Sequence, residues 1–323
     1  MSVSLMYSSI AQSTMKQYHA CLLKYLNWCQ NMNMVAFPVH QQNLILFATE
    51  LSLTISHGYI KSHLAAINFF AYTNGYTTSF VSFKRLYLLL RGIKKCQAKK
   101  FKKAKRIPVT PDMLFTIKFN LFNSSLIYSN KLMIWAAMLT AFFGFLRASE
   151  YTSPYVHSFL PESTLCYNDI ILQNNQISLV LKASKTDPFR LGTTVRLAAN
   201  GSPLCPVAAL SMFIKNHPSQ SGPLFMFHDG KYLTRDKISK YLKQFIASTP
   251  IKNISSHSFR IGAATTAARA GHPRWLIQSL GRWSSDCFRD YIRISDETMA
   301  MVSSSMLDTP TNNVVCYDPD LMV

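Results

Sequence analysis

The sequence predicts a mainly α-helical chain with a small antiparallel sheet, an α+β protein in two domains, on three observations. Apolar residues recur at helical spacing through most of residues 1–90 and again over 129–146, 206–216 and 234–247. Three short strand-like runs interrupt that pattern between Tyr167 and Leu197. A basic run from Arg91 to Arg106, followed by Pro108 and Pro111, marks a boundary between the two helical regions.

The first domain is expected to be a bundle. Thr14 followed by Gln17 is a capping-box signal, and Tyr18, Leu22, Tyr25, Leu26 and Cys29 then recur on one helical face. A second helix is expected over 40–51, a third over 59–73 ending at Asn74-Gly75, and a fourth over 80–90 ending at Gly92. Four amphipathic helices with short connections form a small bundle, assigned to residues 1–92. A basic interdomain linker is assigned to 93–109, a second domain to 110–305, and a polar tail to 306–323.

In the second domain Thr110-Pro111-Asp112 is a helix start. The apolar run over 132–146 is 15 residues long, between Lys131 and Arg147. A membrane span needs about 20, so this run is read as a buried central helix. Strands are expected over 167–172, 177–181 and 193–197, the first two joined by Gln173-Asn174-Asn175-Gln176. Helices resume over 206–216 and 234–247. In the stretch SSHSFRIGAATTAARAGHPRWLIQSLGRWSSDCFRDYIR, Ser255 or Ser256 caps one helix and Gly271 ends it; Pro273 opens the next and Gly281 closes it.

Composition narrows the function. A chain of 323 residues has room for two cores, and with 48% hydrophobic and 12% aromatic residues it folds. Its net charge of +19 and pI near 9.7 point to a polyanionic partner, nucleic acid first and an anionic membrane surface second. Fourteen Lys and Arg stand against one acid, Glu50, up to Arg106, so most of that excess lies in the first third. Within it Arg91, Lys94, Lys95, Lys99, Lys100, Lys102, Lys103, Lys105 and Arg106 form either a solvated linker or a phosphate-contacting one, and the run also fits a nuclear localisation signal. The seven cysteines are scattered, with no C-x-x-C pair, which argues for a reducing compartment and against a zinc module. No signal peptide and no glycine-rich phosphate loop is read.

Four separated segments carry chemistry. His257 and Arg260 are three apart, so on a helix they share a face about 5–6 Å apart at Cβ, an anion-binding group beside a proton carrier. Arg147 and Glu150 follow the apolar run in GFLRASE, where a buried arginine requires a partner. They form either a purely structural pair or part of an anion site. Lys185 lies in SKTDPFR at the hairpin tip, either solvated or functional. Tyr291, flanked by Arg289 and Arg293, is either a core tyrosine or a nucleophile.

The ordered set RASE, SKTD, HSFRIGAAT, LGRW and YIR resembles the tyrosine recombinase (phage integrase) family. Its details are similar to the recombinases of eukaryotic mobile elements, of the DIRS and Crypton type. The resemblance covers about 107–300, and the N-terminal bundle looks like the family's core-binding (SAM-like) domain. It implies a site-specific recombinase or integrase active on double-stranded DNA as a tetramer, in the nucleus, without metal, ATP or other cofactor. Arg147 and Arg260 would clamp the scissile phosphate. His257 would handle the proton of Tyr291 and Lys185 would protonate the leaving 5′ oxygen, with Lys182 as fallback. Tyr291 would form a 3′-phosphotyrosine link, and Glu150 would orient Arg147 or His257. Where the family places His or Trp after the glycine, this chain has Arg282 and then Trp283. Residue type favours Trp283 as phosphate donor, spacing favours Arg282, and a purely packing Trp283 is the third reading. A DNA-binding descendant that no longer recombines is the alternative function, with a strand-passing relaxase of the type IB topoisomerase kind behind it.

Overall fold

The expected helices and strands form, with differences that have physical causes. The computed structural model describes residues 2–76, 80–101, 104–184, 187, 189–216, 221–293 and 299–301. Lys102, Lys103, Lys185 and the tail 306–323 lie outside the described residues. The chain divides into two compact units, 1–104 and 105–323.

The first unit contains α1 (Ser2–Ser8), α2 (Gln12–Asn31), α3 (Gln41–Thr54), α4 (His57–Thr73) and α5 (Lys84–Gln97). Helix α1 stands in addition to the four expected. Helix α2 starts before the expected capping box, with Ala11 as its cap, so Thr14 is already helical. The core is aromatic: Tyr25, Trp28 and Phe47 pack together with Leu51, Ile60, Ile67 and Leu86. Trp28 Nε1 donates to Glu50 Oε2 at 2.6 Å, so the unit's one acid serves the fold.

Gly92 does not stop α5. A helical glycine costs about 1 kcal/mol, and the residues beyond it offset this. Ile93 is buried, and Gln97 Nε2 donates to Ser52 O (2.7 Å) and Ile55 O (3.0 Å) while its Oε1 accepts from His57 N (2.7 Å). Residues 93–97 are therefore helix rather than linker, and α5 exposes Arg91, Lys94 and Lys95 opposite its buried Leu86, Ile93 and Gln97. Lys99 and Lys100 follow, also exposed.

The second unit is built around α7 (Tyr128–Phe143), in which eleven of sixteen residues are buried, so it is covered on all sides. Helix α6 (Pro111–Phe122) precedes it, with Thr110 Oγ1 accepting from Met113 N at 3.3 Å and Pro111 in the first turn, as the sequence indicated. After the four-residue α8 (Ala148–Tyr151) come β1 (Ile170–Gln173), β2 (Gln176–Leu181) and β3 (Thr193–Ala198), an antiparallel sheet in the order β1-β2-β3. Gln173 pairs with Gln176 across the short turn, and Leu181 with Thr193 across the long hairpin. Residues 167–169 form a 3-10 turn instead of strand. Helices α9 (Pro206–Lys215), α10 (Arg235–Phe245), α11 (His257–Arg269) and α12 (Arg274–Gly281) complete the unit with a 3-10 turn, Asp286–Tyr291.

Candidate active site

The C-terminus of α7 sets the centre. Gly144 closes the helix, Phe145 adopts a left-handed backbone (φ 51°), and Leu146 N–H returns to Ala141 O at 3.0 Å. A Cβ on Gly144 would lie 2.7 Å from Thr140 O, so the turn requires glycine. The reversal presents the Gly144 and Phe145 carbonyls and delivers Arg147 as the cap of α8. Arg147 donates to Glu150 through its N–H (2.8 Å, Oε2) and through Nη1 (2.9 Å, Oε1). Arg282 Nη2 donates to the same Oε2 at 2.8 Å and to Phe145 O at 3.2 Å, while its Nη1 reaches Gly144 O at 3.3 Å. The Glu150 side chain is 1% exposed, so two guanidiniums replace water around its charge.

Arg260 is fully buried on α11. Its Nη1 donates to Phe145 O and its Nη2 to Gly281 O. Its guanidinium lies over the Trp283 ring at 4.2 Å and 5.7 Å from the Tyr291 ring centre. Burial and the nearby Arg147 pull its pKa down, and Glu150 opposes them; a guanidinium starts so high that it stays charged. Lysine at this position would reach one carbonyl and orphan the other. Arg260→Lys is therefore expected to lose about 1–3 kcal/mol of stability in urea unfolding; an unchanged midpoint would show that the fork carries no structural weight.

His257 and Tyr291 meet beside this arginine. Their ring centres are 5.2 Å apart, edge to face, and Tyr291 also packs on Trp283 at 4.9 Å. Thr265 Oγ1 donates to Tyr291 O and accepts from Arg293 N, both at 3.1 Å, which pins the tyrosine's backbone to α11. Burial first, then the charges of Arg106, Arg260, Arg147 and Arg293, hold the His257 pKa down at about 4. Near neutral pH the imidazole is therefore uncharged and has a lone pair for a proton.

Of the residues singled out in the sequence, Arg147, Glu150, His257, Arg260, Arg282, Trp283 and Tyr291 come together. Arg282 and Trp283 divide the position that the sequence left open. Arg282 terminates α12 in a left-handed conformation (φ 54°) and ties Glu150 to the α7 carbonyls. Trp283 is 6% exposed, and its Nε1 is buried with no acceptor among the described residues. Its ring packs so tightly that a Cβ on Gly281 would lie 1.6 Å from it. The geometry packs the Trp283 ring between Arg260 and Tyr291.

Lys185 lies outside the described residues, but the root of its loop is fixed. Asp187 accepts from Leu191 N (3.1 Å) and Gly192 N (2.8 Å). A cavity of about 260 Å³ between the hairpin and α12 is lined by Leu181, Asp187, Thr193, Arg282 and Trp283 among others, so the hairpin opens beside the site. Lys182 is engaged elsewhere, paired with Asp169 at 2.8 Å. Burial acts against its charge, and the hydrogen bond it donates to Asp169, together with the influence of Cys166, outweighs this and raises its pKa. The sequence reading missed three contributors: the Phe145 carbonyl, Thr265 and the placement of Arg106 near His257.

No protein-family model and no curated protein matches the chain. Solved structures do. The XerH site-specific recombinase bound to palindromic difH substrate in a post-cleavage complex superposes with a TM-score of 0.62 at 16% identity, over 91% of this chain and 80% of that one. The Tn1549 transposon integrase in complex with transposon right end DNA gives 0.62 at 12%, over 95% and 99%. A lambda integrase dimer bound to a COC′ core site gives 0.58 at 15%, over 90% and 94%. The chain has the fold of these tyrosine recombinases.

Proposed function

We propose that this chain, with its tyrosine-recombinase fold, is a DNA strand-transferase that cleaves and rejoins duplex DNA through a 3′-phosphotyrosine intermediate. The observation that carries the reading is the convergence of Arg147, His257, Arg260 and Tyr291 from segments up to 144 residues apart, around a cluster in which Arg147 and Arg282 share the Glu150 carboxylate and Arg260 adds a third guanidinium. Such an excess of positive charge calls for an anion, and a tyrosine beside a neutral imidazole supplies a nucleophile with its base.

In this reading Tyr291 Oη attacks the scissile phosphorus. Its proton passes to neutral His257, the P–O5′ bond breaks, and Lys185 gives the leaving 5′ oxygen a proton. Arg147 and Arg260 bind the non-bridging oxygens, on which charge builds in the transition state. Arg260 Nε has no acceptor among the described residues and is free for this. Glu150 and Arg282 act through Arg147, holding its fork in place. A 5′ hydroxyl from another strand reverses the steps, which gives recombination when the strands differ. The exposed Arg91, Lys94, Lys95, Lys99 and Lys100 would contact DNA phosphates outside the site. The assembly proposed on DNA is a homo-oligomer.

A DNA-binding protein that no longer cleaves is the second reading. The full burial of Arg260 favours it, since a phosphate reaches that fork only when the surrounding side chains part. A nicked suicide duplex, drawn from a randomised pool enriched for binding to the chain, separates the two. A covalent protein–DNA complex resistant to denaturant supports strand transfer. Tight binding with no covalent complex supports the second reading. Relaxation of supercoiled DNA without strand exchange would point instead to a relaxase.

A further inference from the structure

The last residues of the basic run are bound into the second unit. Asn253 Nδ2 donates to Lys105 O at 2.8 Å, Ile107 N–H to Asn253 O at 2.9 Å, and Val109 N–H to Ser258 O at 3.0 Å. Val109 is fully buried, and a Cβ on Gly262 would fall 2.0 Å from its carbonyl oxygen, so the segment lies directly against α11. Residues 105–109 therefore form a strap along 253–258 and are not linker. Arg106 sits between the two residues bonded to Asn253, and His257 immediately precedes the residue that holds Val109. Arg106 is exposed.

We propose that Arg106 is a phosphate-binding residue of the active site, gripping a DNA phosphate adjacent to the scissile one from the His257 side. The inference rests on the site being one that takes a DNA phosphodiester. Three observations support it. The strap is fixed by backbone bonds, so the Arg106 side chain starts from a set backbone position beside α11, and its guanidinium is suited to bidentate phosphate recognition. The groups facing His257 are Arg106 from the strap, Arg260 from its own helix, Arg147 from the turn after α7, Arg293 from beyond the 3-10 turn, and the Tyr291 ring. Among those charges Arg106 acts on His257 most strongly.

This arrangement has a consequence for the reaction. In the free protein Arg106 helps to keep the imidazole unprotonated. A phosphate bound by Arg106 offsets that charge, so His257 becomes a stronger base once DNA is in place, when the tyrosine proton has to be removed.

The test is a histidine NMR titration of the full chain, with His257→Gln used to assign the resonance, joined to the salt dependence of binding to an intact duplex. Arg106→Gln is expected to move the His257 midpoint up from about 4 toward 6.5. Arg106→Lys, which keeps the charge, should hold it low. The slope of log affinity against log salt should flatten by about 0.9 in Arg106→Gln, the value of one lost phosphate contact. An unmoved midpoint would overturn the placement of Arg106 at the site, and an unchanged slope would overturn the phosphate contact. If both changes appear while the wild type forms no covalent complex with DNA, strand transfer fails as the function and the phosphate site stands.

Discussion

Tyr291→Phe is expected to form no covalent complex with a nicked duplex, while its stability and affinity for DNA stay at wild-type values. The structure separates the hydroxyl from everything else the residue does. The backbone at this position is held by Thr265, which bonds the Tyr291 carbonyl and the Arg293 amide and does not involve the phenol. The ring packs edge to face on His257 and against Trp283, and phenylalanine keeps both contacts. Only the nucleophile is removed. Denaturing gels read the covalent complex, while thermal unfolding and filter binding read the rest. A residual covalent complex in this variant would mean that another side chain attacks.

Glu150→Ala is expected to destabilise the second unit by about 3–5 kcal/mol, the usual cost of leaving buried charge without its partner. The carboxylate is almost inaccessible and accepts from the Arg147 amide, the Arg147 guanidinium and the Arg282 guanidinium. Its removal leaves two arginines facing each other, and Arg260 close to both, with no counter-charge. Urea unfolding measures the loss. A double-mutant cycle then identifies its cause: Arg282→Ala should cost less in the Glu150→Ala background than in the wild type, because the Glu150–Arg282 attraction is already gone there and the change relieves the repulsion left between the arginines. Losses that simply add would show that the two side chains are not coupled.

The parts of this fold that were legible in the sequence are those whose cause is local. Thr110 before Pro111 caps its helix, as its side chain allows. The apolar run ending at Leu146 is buried because few of its residues are polar. The spacing of His257 and Arg260 brings both to one side of α11 for the same reason. What the sequence hid depends on distant partners. Gly92 looked like a helix end, and only the buried Ile93 and the bonds of Gln97 to the α3–α4 connection explain why α5 continues. The basic run looked like one linker because charge carries no record of pairing. Its first part is a helix and its last part a strap held by Asn253 and Ser258, about 150 residues away. The ring of Trp283 is turned inward by the left-handed conformation of Arg282, which residue type does not reveal. Lys185, the proposed acid, lies outside the described residues, and its role rests on the resemblance and on the position of its hairpin.

The central claim is that Tyr291 becomes joined to DNA. Trypsin cuts after Arg289 and Arg293 and releases the peptide Asp290–Arg293, sequence DYIR. Mass spectrometry of a wild-type complex, trimmed with nuclease before digestion, is predicted to find nucleotide mass on that peptide, at Tyr291. Nucleotide mass on any other residue, or on no peptide, would contradict the account.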